Sequence, residues 1–306
     1  MFSFLKKSPK ISIVIIAYNS ENYIRECLES VVSQSIDKEI FCIDDCSSDR
    51  TYEIFKEYEQ KYKEMKVYRN EENMGVILSR YKGISRCKGD YLYLMDSDDK
   101  LVPDILEKLY DEAITQKADI LEFSSETDGS EELKKLLKRP NQKITDNILE
   151  QYREKKIANY VWNKLISKRV YKKALNKLNP NLRQTNYADT VYYLYHFLSC
   201  AENVITTETV GYFYYDYRGI TATTNWLGKY KEYCGFIITY RELLEVFGHT
   251  QIIKNIWNSV CNQVVNAYLE LSESEQNEYK HLMYELMSEE GVELLIKGHL
   301  ERRMNK

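Results

Sequence analysis

The period of the apolar pattern switches repeatedly between strand and helix along the first 125 residues. Ile11 to Ala17 (ISIVIIA) is an unbroken apolar, largely β-branched run, which predicts a strand buried on both faces, as in a parallel sheet. Tyr18-Asn19-Ser20 ends it. Tyr23, Ile24, Cys27, Leu28, Val31 and Val32 then recur at helical spacing. Glu39 to Ile43 predicts a second strand and Thr51 to Lys61 a second helix. Lys66 to Tyr68 (strand), Gly75 to Arg86 (helix) and Tyr91 to Met95 (strand) continue the alternation. Pro103 sits where a helix running to about Gln116 would begin, and Ala118 to Phe123 predicts a further strand.

Strand and helix in strict alternation predict an α/β fold, with a Rossmann-like, mostly parallel sheet flanked by helices. In such sheets ligands sit beyond the carboxyl ends of the strands. The turns there are unusually polar: Tyr18-Asn19, Asp44-Asp45 and Asp96-Ser97-Asp98-Asp99. A parallel sheet would bring them to one edge.

Later segments read differently. Asp128 to Arg139 is charged and predicts a solvated loop or short surface helix. Aromatic residues become dense after Asn159, and Val210 to Tyr217 (VGYFYYDY) predicts a strand. From Leu227 the pattern is helical to the end. The expected organisation is a nucleotide-binding half (1–125), an acceptor-binding half (126–226) and a C-terminal helical extension (227–306).

Composition narrows the function classes. Hydrophobic residues make up 43% and charged residues 29% of the 306, which suits a globular chain with a real core. A net charge of -4 provides no basic field for nucleic acid. The seven cysteines contain no C-x-x-C and read as reduced, buried thiols, and the four histidines are too scattered for a zinc site. No apolar run approaches the ~18 residues of a membrane span. Met1 to Lys10 is too short for a signal-peptide core. These features predict a cytoplasmic protein that would meet any lipid-linked substrate peripherally, at the inner face of the cell membrane.

The segment Tyr91 to Asp99 (YLYLMDSDD) ends an apolar strand in a cluster of carboxylates. Such a cluster is costly unless something neutralises it, and oxygen-rich ligands suit Mg²⁺ or Mn²⁺. Taken alone, the segment reads equally well as a polar turn and helix cap.

It does not stand alone. Ile11 to Asn19, Cys27 to Gln34 (CLESVVSQ), Ile43 to Thr51 (IDDCSSDRT), Asn73 to Arg80 (NMGVILSR), Gly89-Asp90-Tyr91 and Asp96 to Asp99 follow one another in an order that resembles the family 2 glycosyltransferases of GT-A fold, of the bacterial surface-polysaccharide type. That resemblance implies an inverting enzyme that moves a sugar from a nucleotide-sugar, a UDP-sugar first of all, to a saccharide or lipid-linked saccharide acceptor, with Mn²⁺ or Mg²⁺ as cofactor. It implies that Ala17, Tyr18 and Asn19 line the nucleotide pocket and that Asp45 hydrogen-bonds the base. Arg80 would sit near the base or steady the acidic turn. Asp96 and Ser97 would face the ribose and metal region, Asp98 would hold the metal together with Asp96, and Asp99 would approach the sugar. Ile16 and Cys46 depart from the pattern, which commonly has Pro and Gly there.

Inverting sugar transfer needs a base for the acceptor hydroxyl. The family places it at a helix start beyond the acidic motif, often in a Glu-Asp pair. Tyr187-Ala188-Asp189-Thr190 fits that place and makes Asp189 the candidate base, with a helix cap as the alternative. Trp162-Asn163-Lys164 resembles a W-N-K segment of the acceptor half, and Arg218 a late Tyr-Arg motif. Trp162, Lys164 and Arg218 are therefore candidate acceptor contacts, with core packing or a surface ion pair as the alternatives, and for Arg218 the resemblance implies a contact with either the diphosphate or the acceptor. A nicotinamide enzyme is disfavoured because no G-x-G-x-x-G follows the first strand. A GT-A-like binding protein without catalysis remains the competing class, and the C-terminal helices could give either class a homodimer surface.

Overall fold

Ile11–Ala17 forms β1, with all of its residues buried. The protein is represented by a computed structural model that describes residues 9–182, 189–218, 226–247, 251–287 and 297. The chain divides into two compact units, one of Met1–Gln184 with Tyr193–Gly219 and the other of Thr185–Tyr192 with Ile220–Lys306.

In the first unit β1 is followed by α1 (Ile24–Val32), β2 (Lys38–Asp44), α2 (Thr51–Lys61), β3 (Met65–Arg69), α3 (Gly75–Ile84), β4 (Tyr91–Asp96), β5 (Lys100–Leu101) and α4 (Ile105–Thr115). Next come β6 (Ile120–Thr127), α5 (Glu131–Leu136), β7 (Gln142–Ile144), α6 (Ile148–Arg153), β8 (Lys164–Ser167) and α7 (Lys168–Leu175). Then α8 (Asp189–Leu198), which belongs to this unit from Tyr193 onward, leads to β9 (Val204–Tyr214). The strands build one sheet in the order β3-β2-β1-β4-β8-β6-β9-β5, with β7 also on β9. β3, β2, β1 and β4 are mutually parallel. β8 runs antiparallel to β4 and β6, and β9 is parallel to β6 but antiparallel to β5 and β7. The predicted parallel sheet is thus its first half, and the second half is mixed. β6 runs through residue 125, so both halves expected from the sequence contribute to one sheet.

Helices cover both faces. Ile11, Ile13 and Ile15 share a core with Ile24, Cys27, Leu28 and Val31 of α1, Phe55 of α2 and Leu106 and Leu109 of α4. Each such side chain, fully buried, contributes about 1.5–3 kcal/mol. On the other face α3 lies against β1, so closely that a Cβ on Gly83 would fall 2.4 Å from Cγ1 of Val14.

Gly89 shows the same economy at the start of β4. A Cβ there would lie 2.5 Å from the backbone nitrogen of Ser12, while the Gly89 N–H donates to Ser12 Oγ at 2.7 Å. Since backbone must move to admit the methyl, Gly89→Ala is expected to lower stability by about 1–3 kcal/mol, read as a reduced midpoint in equilibrium denaturant unfolding. Pro103 does not open α4 as predicted. It lies in the turn before Asp104, whose left-handed φ of 49° precedes the helix.

The second unit contains α9 (Trp226–Phe247), α10 (Gln251–Leu269) and α11 (Glu273–Met287), as its helical pattern predicts. Tyr230 of α9 is buried near the rings of Tyr268 and Tyr279 and donates its hydroxyl to the Tyr279 carbonyl at 3.0 Å. Among the described residues no helix is long and apolar enough to cross a membrane.

Candidate active site

Register brings the three polar turns level. Ala17 pairs with Asp44 and Ile16 with Asp96, so the ends of β1, β2 and β4 emerge at one edge. Short side chains then stitch the turns together. Asn19, at a left-handed φ of 50°, accepts from the Ser48 N–H at 2.8 Å, and its own N–H donates to Ser47 Oγ at 3.0 Å. Ser20 N–H donates to Thr51 Oγ1 at 2.8 Å, and Ser20 Oγ lies 2.9 Å from Ser97 Oγ. The Asp-Asp-Cys-Ser-Ser-Asp turn bends where Cys46 has a φ of 64°. That left-handed conformation favours glycine, which accounts for the Gly common in the pattern at this place.

Asp45 is buried and already engaged. Its Oδ1 accepts from Asn70 Nδ2 at 2.7 Å and from the Met74 N–H at 2.8 Å, and its Oδ2 accepts from the Gly75 N–H at 2.9 Å. These are amides at the start of α3, where a carboxylate meets both undonated N–H groups and the positive end of the helix dipole. Gly75 has a φ of 81°, which explains the glycine of the Asn-x-Gly signature. The neighbouring Asp44 is fully buried, accepts from the Ser47 N–H and pairs with Arg69 Nε at 3.2 Å. Burial pushes its carboxyl up despite those partners.

In the acidic turn the three carboxylates have different surroundings. Asp96 is paired with Arg80, whose guanidinium is buried. Asp99 is buried, with Oδ2 accepting from the Tyr212 hydroxyl at 2.8 Å and Oδ1 from the Tyr215 N–H at 2.8 Å. Asp98 is half-buried, and among the described residues no other side chain donates to its carboxylate. Burial first, then the charge of Asp96, pushes the Asp98 carboxyl up. Burial and then Asp98 and Asp96 push up that of Asp99. Among the described residues no three Asp, Glu, His or Cys side chains gather into a metal cage. The donor set that remains is one uncommitted carboxylate, destabilised by burial and by Asp96 more than the nearby Arg218 and Arg80 relieve it. Such a set fits a hard divalent cation that takes its other ligands from water and substrate oxygens.

One acidic residue of the site was missed by the sequence reading. Glu26 of α1 accepts from the Tyr215 hydroxyl at 2.7 Å, from Lys100 Nζ at 2.9 Å and from Arg218 Nη1 at 2.8 Å. Burial pushes its carboxyl up, but the hydrogen bonds from Arg218, Tyr215 and Lys100 outweigh it and hold it down at about 2. In the sequence it is simply a polar helix position, and its partner Arg218 is 192 residues away.

Two candidate acceptor contacts lie in the interior instead. Trp162 is 4% exposed and stacks on Tyr160, Tyr212 and Tyr214, with centroids 4.7, 4.6 and 5.5 Å away. Lys164 is fully buried and donates to the Ala158 carbonyl at 2.9 Å, the Tyr160 carbonyl at 2.6 Å and Asn163 Oδ1 at 2.8 Å, beside Glu122 at 3.1 Å. Its ammonium has no donor left for an acceptor. Arg218, by contrast, reaches the acidic turn, where Nη1 also donates to the Asp98 carbonyl at 3.3 Å. Tyr18 is 39% exposed at the end of β1. Asp189, half-buried, is the first residue of α8, in the second unit. Its neighbours Tyr187 and Ala188 lie outside the described residues.

The sequence profile of glycosyl transferase family 2 matches residues 12–177, more than half of the chain and the whole set of turns just described. The chain belongs to that family. A cholesterol galactosyltransferase of Borreliella burgdorferi is 30% identical to it over 225 residues, 68% of this chain and 60% of that protein. A poly(ribitol-phosphate) beta-glucosyltransferase of Bacillus spizizenii is 39% identical over 115 residues, 36% of this chain and 18% of the relative. The match thus spans less than two thirds of either relative, 60% of the first and 18% of the second. Among solved structures, S. aureus TarS 1-349 in complex with UDP-GlcNAc superposes with a TM-score of 0.65 at 19% identity, covering 94% of this chain and 84% of that one. The shared architecture is the GT-A fold.

Proposed function

We propose that this chain transfers a sugar from a UDP-sugar to a hydroxyl of a saccharide or lipid-linked saccharide, with inversion at the anomeric carbon, in the assembly of a bacterial surface polysaccharide. The observation that carries the reading is the acidic turn, where the uncommitted Asp98 carboxylate lies beside Asp96 at the sheet edge where nucleotides bind in α/β folds. The uridine diphosphate donor is supported by the S. aureus TarS complex, and a hydroxyl acceptor on a lipid or a surface polymer by the cholesterol and poly(ribitol-phosphate) that the relatives' names give.

On this reading the base of the nucleotide lies against Tyr18 and Asn19, past Ala17, and presents an N–H to Asp45. Arg80 holds Asp96 in place. Asp98, with Asp96, would hold Mg²⁺ or Mn²⁺. When bound, that cation supplies Lewis-acid stabilisation of the departing diphosphate. Asp99, tied to Tyr212 and Tyr215, fixes the end of the turn, and Ser97 joins it to Ser20. Asp189 is the residue we assign to accept the proton of the attacking hydroxyl, and inversion in a single displacement requires that oxygen to approach the anomeric carbon opposite the diphosphate.

A panel of nucleotide-sugars assayed for diphosphate release, with and without Mn²⁺, tests the whole reading. Asp189→Asn tests the base. It is expected to lower kcat by about 10²–10⁴-fold, with the dissociation constant for UDP unchanged. Undiminished turnover in that variant would remove Asp189 from the reaction.

A further inference from the structure

Arg218 is held unusually firmly for a residue so close to the end of the described sheet. Its Nη1 donates both to Glu26 Oε2 and to the Asp98 carbonyl. Its guanidinium carbon lies 3.4 Å from the centre of the Tyr215 ring and 4.9 Å from that of Tyr23. Tyr215 is itself fixed at both ends, by its hydroxyl on Glu26 and its N–H on Asp99. Among the described residues, the Nε and Nη2 groups of Arg218 donate to nothing. One edge of the guanidinium is anchored and the other is available.

We propose that Glu26 is a positioning residue for the donor diphosphate, acting through Arg218. By binding Nη1 next to the Asp98 carbonyl, it leaves the Nε/Nη2 edge set to donate in parallel to two phosphate oxygens. A planar guanidinium recognises phosphate best through such a paired edge, and fixing it beforehand removes an ordering cost from binding. This rests on the nucleotide-sugar reading above. The sign of the effect follows from the surroundings. Without Glu26, Arg218 is left beside the carboxylates of the acidic turn, since its Nη1 already reaches the Asp98 carbonyl. Arg218 would turn onto them, presenting less of itself to phosphate and cancelling charge needed for a cation. Lys100, released at the same time, lies over the rings of Phe213 and Tyr215 and stays at the same edge.

Isothermal calorimetry with UDP and with uridine, on wild type, Glu26→Ala, Glu26→Gln, Arg218→Ala and the Glu26→Ala/Arg218→Ala double variant, tests this. Glu26→Ala should weaken UDP about tenfold and leave uridine unchanged, with Glu26→Gln between it and wild type. In the Arg218→Ala background, Glu26→Ala should add nothing further, since its effect runs through the arginine. Equal weakening of UDP and uridine, additive losses in the double variant, or tighter UDP binding in Glu26→Ala would each overturn the proposal. Wild type that binds UDP while all variants match it overturns this proposal alone. Wild type that binds neither compound overturns the donor reading with it.

Discussion

Asp98→Asn is expected to lower sugar transfer by about a thousand-fold while leaving the protein as stable as the wild type, or slightly more so. The two effects have one cause. Asp98 is half-buried beside Asp96 and Asp99, its carboxyl is pushed up by burial and by its neighbours' charge, and no other described side chain donates to it. Removing that charge relieves repulsion in the fold and, on the proposed reading, removes a ligand of the cation. Loss of a group that stabilises developing charge typically costs about 10²–10³ in rate, and loss of the cation as well justifies the upper end. Initial rates at saturating UDP-sugar over a Mn²⁺ titration, together with a thermal melt, provide the check. A variant that melts well below wild type would make Asp98 a structural residue. One that keeps full rate at ordinary Mn²⁺ would separate the turn from the chemistry. Asp96→Asn should behave differently, because it removes a carboxylate that pairs with the buried Arg80 and so costs stability as well as rate.

The largest loss of stability is expected from Lys164→Met. Lys164 and Glu122 are both fully buried, 3.1 Å apart, with Arg139 as the second cation on Glu122. Burial pushes the lysine down to about 8, while Glu122 works against it, so the ammonium is charged at neutral pH. Deleting one member of a buried pair leaves the other charge stranded, which costs about 3–5 kcal/mol. Arg139 and the Ala158 N–H stay on Glu122 and hold the loss near the lower end of that range. In a unit of this size the midpoint should fall by about 10 °C in a calorimetric scan. Glu122→Gln/Lys164→Met should recover only part of this, because the buried carboxylate goes and an acceptor for Ala158 remains, but Arg139 loses its partner on Glu122. If the single and double variants melt together, the pair is not what holds β6 to β8.

The W-N-K segment shows how far sequence reading reaches. Its pattern is legible, but its role is not, because Lys164 looks like any polar residue until β6 delivers Glu122 to it. Long apolar runs such as Ile11–Ala17 and Tyr91–Met95 are legible almost to the residue, since burial on both faces leaves Ser12 as the one polar position between them. The two-residue β5 and the three-residue β7 carry no period at all. β9 begins at Val204 rather than Val210 because Thr206 and Thr207, polar in sequence, are buried between neighbouring strands. The same holds at the site. Asp45, Asp96 and Asp98 are legible as carboxylates at strand ends, whereas Glu26 becomes visible only once β9 has brought Tyr215 and Arg218 to it.

If Asp45 reads the base as proposed, the grip of α3 on it limits how the donor can change. The carboxylate is aimed by two main-chain amides, Met74 and Gly75, and one buried asparagine. On the proposed reading, preference among nucleobases is thus written into the backbone of a helix entrance rather than into a replaceable side chain. Directed evolution toward another nucleotide would have to rebuild the Asn73-Met74-Gly75 bend, while the sugar, contacted elsewhere, stays free to vary among descendants that keep the same base.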